Sequence, residues 1–361
     1  MSVLAAIAVL LVLIVVHELG HFAAARLQGI HVNRFSIGFG PVLAKYKGPE
    51  TEYTLCAIPL GGFVGFPDDD PDSDITPDDP NLLRNRPIFD RAIVISAGVI
   101  ANLIFAYFLL VGQVATIGIQ DIQAGLVIPQ VDPSSPAMTA GMQGGDVVIA
   151  LNDQPLGDFP EATTIFIEKV QNSVNKPLNL TVKRDDKTLN LTVIPQENEE
   201  GQGKIGVGLL PNIKLNQAKN FIEAFTYSAE AYENLANLTV KGFWQLISNF
   251  QENAKQVAGP VKIVEYGASI AQNNAGNLFQ FGALISINLA IINILPLPAL
   301  DGGQLAFLLF EGLLGKPLPL KLQEGIMQTG LVLLLSLGVF LIVRDTVNLA
   351  VFQDFIQQIG L

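Results

Sequence analysis

The sequence predicts a polytopic α-helical membrane protein of about four transmembrane helices, with a membrane-associated β-loop and an inserted extracytoplasmic α+β domain. Three observations carry this. Half of the 361 residues are hydrophobic and only 15% are charged, with mean hydropathy +0.42, whereas soluble chains carry nearer a quarter charged residues. Four apolar stretches, at about 3–24, 92–118, 279–299 and 329–350, reach the roughly 20 residues needed to cross hydrocarbon. Between the second and third lies an interval whose first part, 120–211, has the short alternating runs of a soluble β-rich domain. The net charge of −12 argues against nucleic acid as a partner. Cys56 is the single cysteine, so no internal disulfide and no Cys-rich metal site exist.

The first stretch ends in His17-Glu18-Leu19-Gly20-His21, an H-E-x-x-H motif. On a helix, His17 and His21 are one turn apart and share a face, so both imidazoles can bind one zinc and Glu18 can act as a base toward water. Imidazoles and a carboxylate are costly in hydrocarbon without a partner, a metal or a water-filled cavity. A cleaved signal peptide is the bland reading of residues 1–25, but no basic n-region precedes the apolar run and polar residues interrupt its end.

Ile58 to Phe66, with Gly61, Gly62 and Phe63 at its centre, is apolar, Gly-rich and too short to span. It reads as a membrane-associated loop or an ordinary buried one, and Gly38-Phe39-Gly40 upstream can belong to the same sheet. The aspartates of 68–79 lack the central glycine and terminal glutamate of a calcium loop and read as a solvated acidic loop. The second stretch carries Gly98, Asn102 and Gly112, residues that suit packed membrane helices.

In the β-rich interval, Gly125-Leu126-Val127-Ile128 resembles the carboxylate-binding loop and strand of PDZ domains. The short helix at Pro136, the Gly145-Asp146 strand, a helix near 158–172 and a hairpin across Asp185-Asp186 complete that pattern. Such a domain binds extended peptides by strand addition or screens out bulky substrates. Segment 212–278 reads as an extracytoplasmic amphipathic helical segment, with Phe243-Trp244 suited to a membrane interface. An ordinary helix packed on the β-rich domain is the plainer alternative.

The third stretch runs into Asn293-Ile294-Leu295-Pro296-Leu297-Pro298, whose prolines should end or distort the helix. Asp301 follows, then Gly302-Gly303. Catalytic zinc usually takes three protein ligands, and Asp301 is a better third candidate than His31, the one other histidine. A turn aspartate before glycines is the alternative reading. Asn102 and Asn293 are candidates to hold substrate backbone or a developing oxyanion, or to form buried interhelical hydrogen bonds.

Arg26, Arg34, Lys45, Lys47, Arg84, Arg86 and Arg91 lie between stretches one and two, and Lys316 and Lys321 between three and four. Basic loops face the cytoplasm. Both termini and 120–278 are therefore expected outside, with the motif toward the cytoplasmic side.

The H-E-x-x-H in the first span, the Asn-x-x-Pro-x4-Asp-Gly run after a later span and the PDZ-like interval together resemble the site-2 protease family of intramembrane zinc metalloproteases, in its bacterial form with a single PDZ domain. The resemblance covers nearly the whole chain. It implies one zinc per chain held by His17, His21 and Asp301, with Glu18 as general base, and a loop near 58–66 that pairs with an extended substrate. It further implies an inner-membrane endopeptidase acting on single-pass membrane proteins, such as anti-sigma factors or remnant signal peptides. The expected domains are membrane core 1–119 and 279–361, a PDZ domain 120–211 and the helical segment 212–278. Two other classes compete: a catalytically silent scaffold presenting the PDZ domain, and a metal transporter using the same polar residues. An intact Glu18 weighs against the first, and the lack of internal repeats against the second.

Overall fold

The computed structural model describes residues 1–361 except 71–72, 186, 199–200, 254–256 and 349–361. Part of the acidic stretch, Asp186 of the expected hairpin turn and the end of the fourth apolar stretch therefore lie outside the described residues. In chain order the elements are α1 (Ser2–Leu27), β1 (Arg34–Lys47), β2 (Glu52–Gly65), α2 (Ile88–Thr116), β3 (Ile119–Val127), α3 (Pro136–Thr139), β4 (Val147–Leu151), β5 (Gln154–Pro155), α4 (Glu161–Gln171), β6 (Leu178–Arg184), β7 (Lys187–Val193), β8 (Gln196–Glu197), β9 (Gly203–Lys204), β10 (Leu210–Asn216), α5 (Phe221–Ser248), α6 (Phe250–Asn253), α7 (Pro260–Asn273), α8 (Leu278–Ile294), α9 (Asp301–Leu314) and α10 (Leu320–Val347). They form two compact units, one of residues 1–116 with 219–361 and one of residues 117–218.

Among the described residues the first unit holds four helices long and apolar enough to cross a membrane: α1, α2, α8 with the turn before it, and α10. At about 1.5 Å per residue, the 26 residues of α1 reach roughly 39 Å, beyond the ~30 Å of hydrocarbon. Boundaries differ from those expected. The third helix stops at Ile294 instead of running to 299, because Pro296 and Pro298 cannot continue it. The fourth begins at Leu320, nine positions before 329, since its polar first turns are helical too.

Helix α1 packs on α2 through small residues. A Cβ at Gly20 would lie 2.4 Å from the Ala97 carbonyl oxygen, so only glycine allows this approach. Helix α5 belongs to this unit, packing Ala231, Tyr232 and Leu235 on Ala106, Leu110, Ala283 and Ile287 of α2 and α8. The Arg91 guanidinium pairs with Glu311, tying α9 to α2.

β1 and β2 are each bent into two segments, giving four strand segments, so the β-loop expected at 58–66 is one part of a larger sheet that begins at Arg34. Residues 34–37 pair with 52–55 running parallel and with 62–65 running antiparallel, while 42–47 pair with 52–56. The order is therefore 42–47, 52–56, 34–37, 62–65. Gly38, Phe39 and Gly40 sit at the bend, where Gly38 and Gly40 take positive φ.

In the second unit the sheet order is β10-β3-β4-β6-β7, with β5 paired to β4. Leu178, Leu180 and Val182 of β6 point inward at every second residue, and Ala162, Phe166 and Val170 of α4 cover them at every fourth. The elements fall where the PDZ pattern places them. Asp146, fully buried, accepts hydrogen bonds from the Gln143 N–H (2.9 Å) and from Arg184 Nε and Nη2 (2.7 and 2.8 Å). Burial pushes its carboxyl up, but the Arg184 and Gln143 bonds outweigh burial and hold it below the usual carboxylate range. A depressed folded value means the stabilisation is present above the unfolded value and is lost as pH falls through the folded one. Asp146→Asn should therefore make the 117–218 unit more protease-sensitive at neutral pH and flatten its acid sensitivity, as read by limited proteolysis of the full chain against pH.

Candidate metal centre

Helix α1 stacks His17 and His21 one turn apart, with ring centroids 4.7 Å apart and planes at 87°. Their Nε2 atoms lie 3.2 Å from each other. Asp301, the first residue of α9, brings Oδ2 to 3.3 Å from His17 Nε2 and 3.5 Å from His21 Nε2. That oxygen is buried and has no hydrogen-bond partner. Bonds of about 2.0–2.1 Å in a tetrahedron place neighbouring ligand atoms about 3.3 Å apart, which matches all three separations. Three such atoms at these distances can share one tetrahedral cation, so the donor set fits zinc. Among the described residues this is the one His/Cys/Asp/Glu cluster with metal-binding geometry.

Helix α2 backs the pair with one face, Val94, Gly98 and Asn102, spaced four residues apart. The Val94 carbonyl lies 2.8 Å from His21 Nδ1. Gly98 leaves the rings their space: a Cβ there would come 2.3 Å from His21 Nε2 and 2.7 Å from His17 Cε1. The side-chain nitrogen of Asn102 lies 3.4 Å from His17 Nδ1. Asn102 is 0% exposed and reaches His17 on the nitrogen opposite the cluster. Of the two roles expected for it, a contact with substrate backbone or a buried interhelical hydrogen bond, this geometry matches the second. Asn293 differs: its Nδ2 lies 3.3 Å from His17 Nε2, on the cluster's own side.

Asp301 reaches this position because α8 stops and the chain turns back on it. Ala299 takes φ 71°. A Cβ on Gly302 would lie 2.1 Å from the Leu295 carbonyl oxygen and one on Gly303 2.4 Å from that of Leu297. The glycines thus let the first turn of α9 pack on the end of α8. Helix α10 closes on the same turn, where a Cβ on Gly330 would lie 2.3 Å from Pro298 Cβ.

Glu18 faces the sheet. A Cβ on Gly62 would lie 3.0 Å from Glu18 Cγ and 2.7 Å from the Ser36 carbonyl oxygen. Gly62 belongs to 62–65, which lies at the end of the strand order. Gly61, at φ 104°, lies against the Phe39 ring, which stacks on Phe63 at 6.4 Å. His31 is not part of the cluster; its Nε2 lies 3.6 Å from Asp79 Oδ2. Gly125, Leu126 and Val127 lie in the second unit. Leu126 and Val127 pair with both β10 and β4. A peptide cannot add as a strand at those two residues without displacing one neighbour. Sequence reasoning missed Val94 and Gly20 and read Gly98 only as a packing residue; the four-residue spacing from Gly98 to Asn102 was the available signal for its place beside the imidazoles.

An H-E-x-x-H helix joined by an aspartate, within four membrane-length helices, defines the class: a multi-pass membrane zinc metalloprotease. The chain belongs to peptidase family M50, whose model matches residues 5–337. It is 69% identical over 356 residues to a Synechocystis sp. protein named "Putative zinc metalloprotease slr1821", covering 99% of this chain and 97% of that one. It is 47% identical over 363 residues to "Membrane metalloprotease ARASP, chloroplastic" of Arabidopsis thaliana, covering 99% of this chain and 80% of that one. A solved PDZ domain from Listeria monocytogenes aligns with 25% of this chain and 92% of its own, at 17% identity and a TM-score of 0.22, too low to carry any argument.

Gly98→Val should weaken or abolish zinc binding by forcing His21 aside. Metal analysis of the purified protein checks this, with helical content by circular dichroism unchanged.

Proposed function

We propose that the chain is an intramembrane endopeptidase with one zinc per chain, cutting single-pass membrane proteins within or near their transmembrane segments. The observation that carries this is the 3.2–3.5 Å triangle of His17, His21 and Asp301 atoms, with Glu18 beside a terminal sheet segment. Zinc, when bound, acts as a Lewis acid on the scissile carbonyl and acidifies water. Glu18 takes the proton from the attacking water and delivers it to the leaving amide nitrogen. Asn293, whose amide nitrogen points to the cluster side of His17, donates to the oxygen that gains charge.

A helical substrate hides its scissile carbonyl in its own hydrogen bonds. Pairing an extended stretch against Gly61–Phe63 would expose that carbonyl beside Glu18. The basic residues between the first and second membrane helices support a cytoplasmic placement of the site and an external one for residues 117–218. That arrangement suits a second cut after an external one, on substrates such as anti-sigma factors or remnant signal peptides, in a bacterial inner membrane.

Glu18→Gln should lower cleavage of a tagged single-pass substrate by at least about 10²–10⁴-fold with zinc content unchanged; equal cleavage by both proteins would sink the base assignment. Gly62→Val should slow cleavage without releasing zinc, because its Cβ would press on Glu18; unchanged kinetics would show that Glu18 does not depend on the space Gly62 leaves.

A further inference from the structure

The two imidazoles of the cluster are both approached from behind by α2, but by different chemistry. His21 Nδ1 meets a backbone carbonyl, that of Val94. His17 Nδ1 meets a side chain, that of Asn102, at 3.4 Å. An imidazole that gives one nitrogen to a metal keeps its proton on the other, and that N–H needs an acceptor. His17 Nε2 faces His21 and Asp301, so Nδ1 carries the proton. The nearest Asn102 atom is its amide nitrogen, which cannot accept.

The amide has the same shape with nitrogen and oxygen exchanged. Exchange costs no hydrogen bond, since Asn102 Oδ1 is buried without a partner. The backbone is already fixed independently, because Ser286 Oγ donates to the Asn102 carbonyl at 2.8 Å. We propose that Asn102 is a positioning residue for the metal centre: its Oδ1 accepts the His17 Nδ1 proton, fixing the ring's tautomer and its angle toward Asp301. The proposal rests on the metal-centre reading and assigns Asn102 a role toward the ligand instead of the substrate.

The test measures zinc affinity of the full-length protein in detergent by chelator competition, for wild type, Asn102→Leu and Asn102→Asp. Leucine keeps the volume without an acceptor, and aspartate keeps the acceptor. The leucine variant should bind zinc about 10–100-fold more weakly, and the aspartate variant should stay near the wild-type value. Equal affinity for leucine and wild type would overturn the proposal, as would an aspartate variant as weak as leucine. A wild type that binds no zinc would instead fail the metal centre itself. If the leucine variant does not fold, ¹⁵N-histidine spectra of zinc-loaded wild type and Asn102→Asp decide. With three histidines in the chain, the His17 Nδ1 proton should shift on substitution and that of His21 should not. An unmoved His17 signal would overturn the assignment.

Discussion

Two imidazoles and a carboxylate point their lone pairs at one another within about 3.5 Å, inside a bundle of apolar helices. A cation bound by all three would cross-link the helices that carry them. The rest of the membrane unit follows from holding it. Gly98 exists as an empty volume for the rings, and Gly20 lets α2 come close enough to supply that volume. The break after Ile294 and the two glycines after Asp301 bring a carboxylate from a distant part of the chain to the same point. The Arg91–Glu311 pair then anchors the helix that carries it.

The two histidines and Glu18 were legible because a single helix fixes their relation; spacing of four residues suffices. Asp301 was legible as a costly residue after a broken span, though its arrival depends on a turn that sequence does not dimension. The contributions of α2 were hidden because they arise between helices. Nothing in Val94 marks its carbonyl as a histidine partner. The same applies to the sheet: its short apolar stretch at 58–66 was visible, but the pairing of 34–37 between 52–55 and 62–65 is a long-range choice. Span limits moved where proline stopped a helix or where polar residues entered one. In the second unit the strands and helices followed periodicity, yet the occupied edges of β3 could be known only from its neighbours.

The membrane unit is split by the intervening domain, and this has a consequence for how the protein is made. His17 and His21 leave the ribosome 284 and 280 positions before Asp301. At about 5–20 residues per second, that delay is on the order of tens of seconds. Through that interval the histidine helix and α2 can meet, but the triangle has only two corners. The three-cornered cluster is thus incomplete until the stretch that carries Asp301 has been made. Order of synthesis alone therefore sets when the two halves of the cluster can meet.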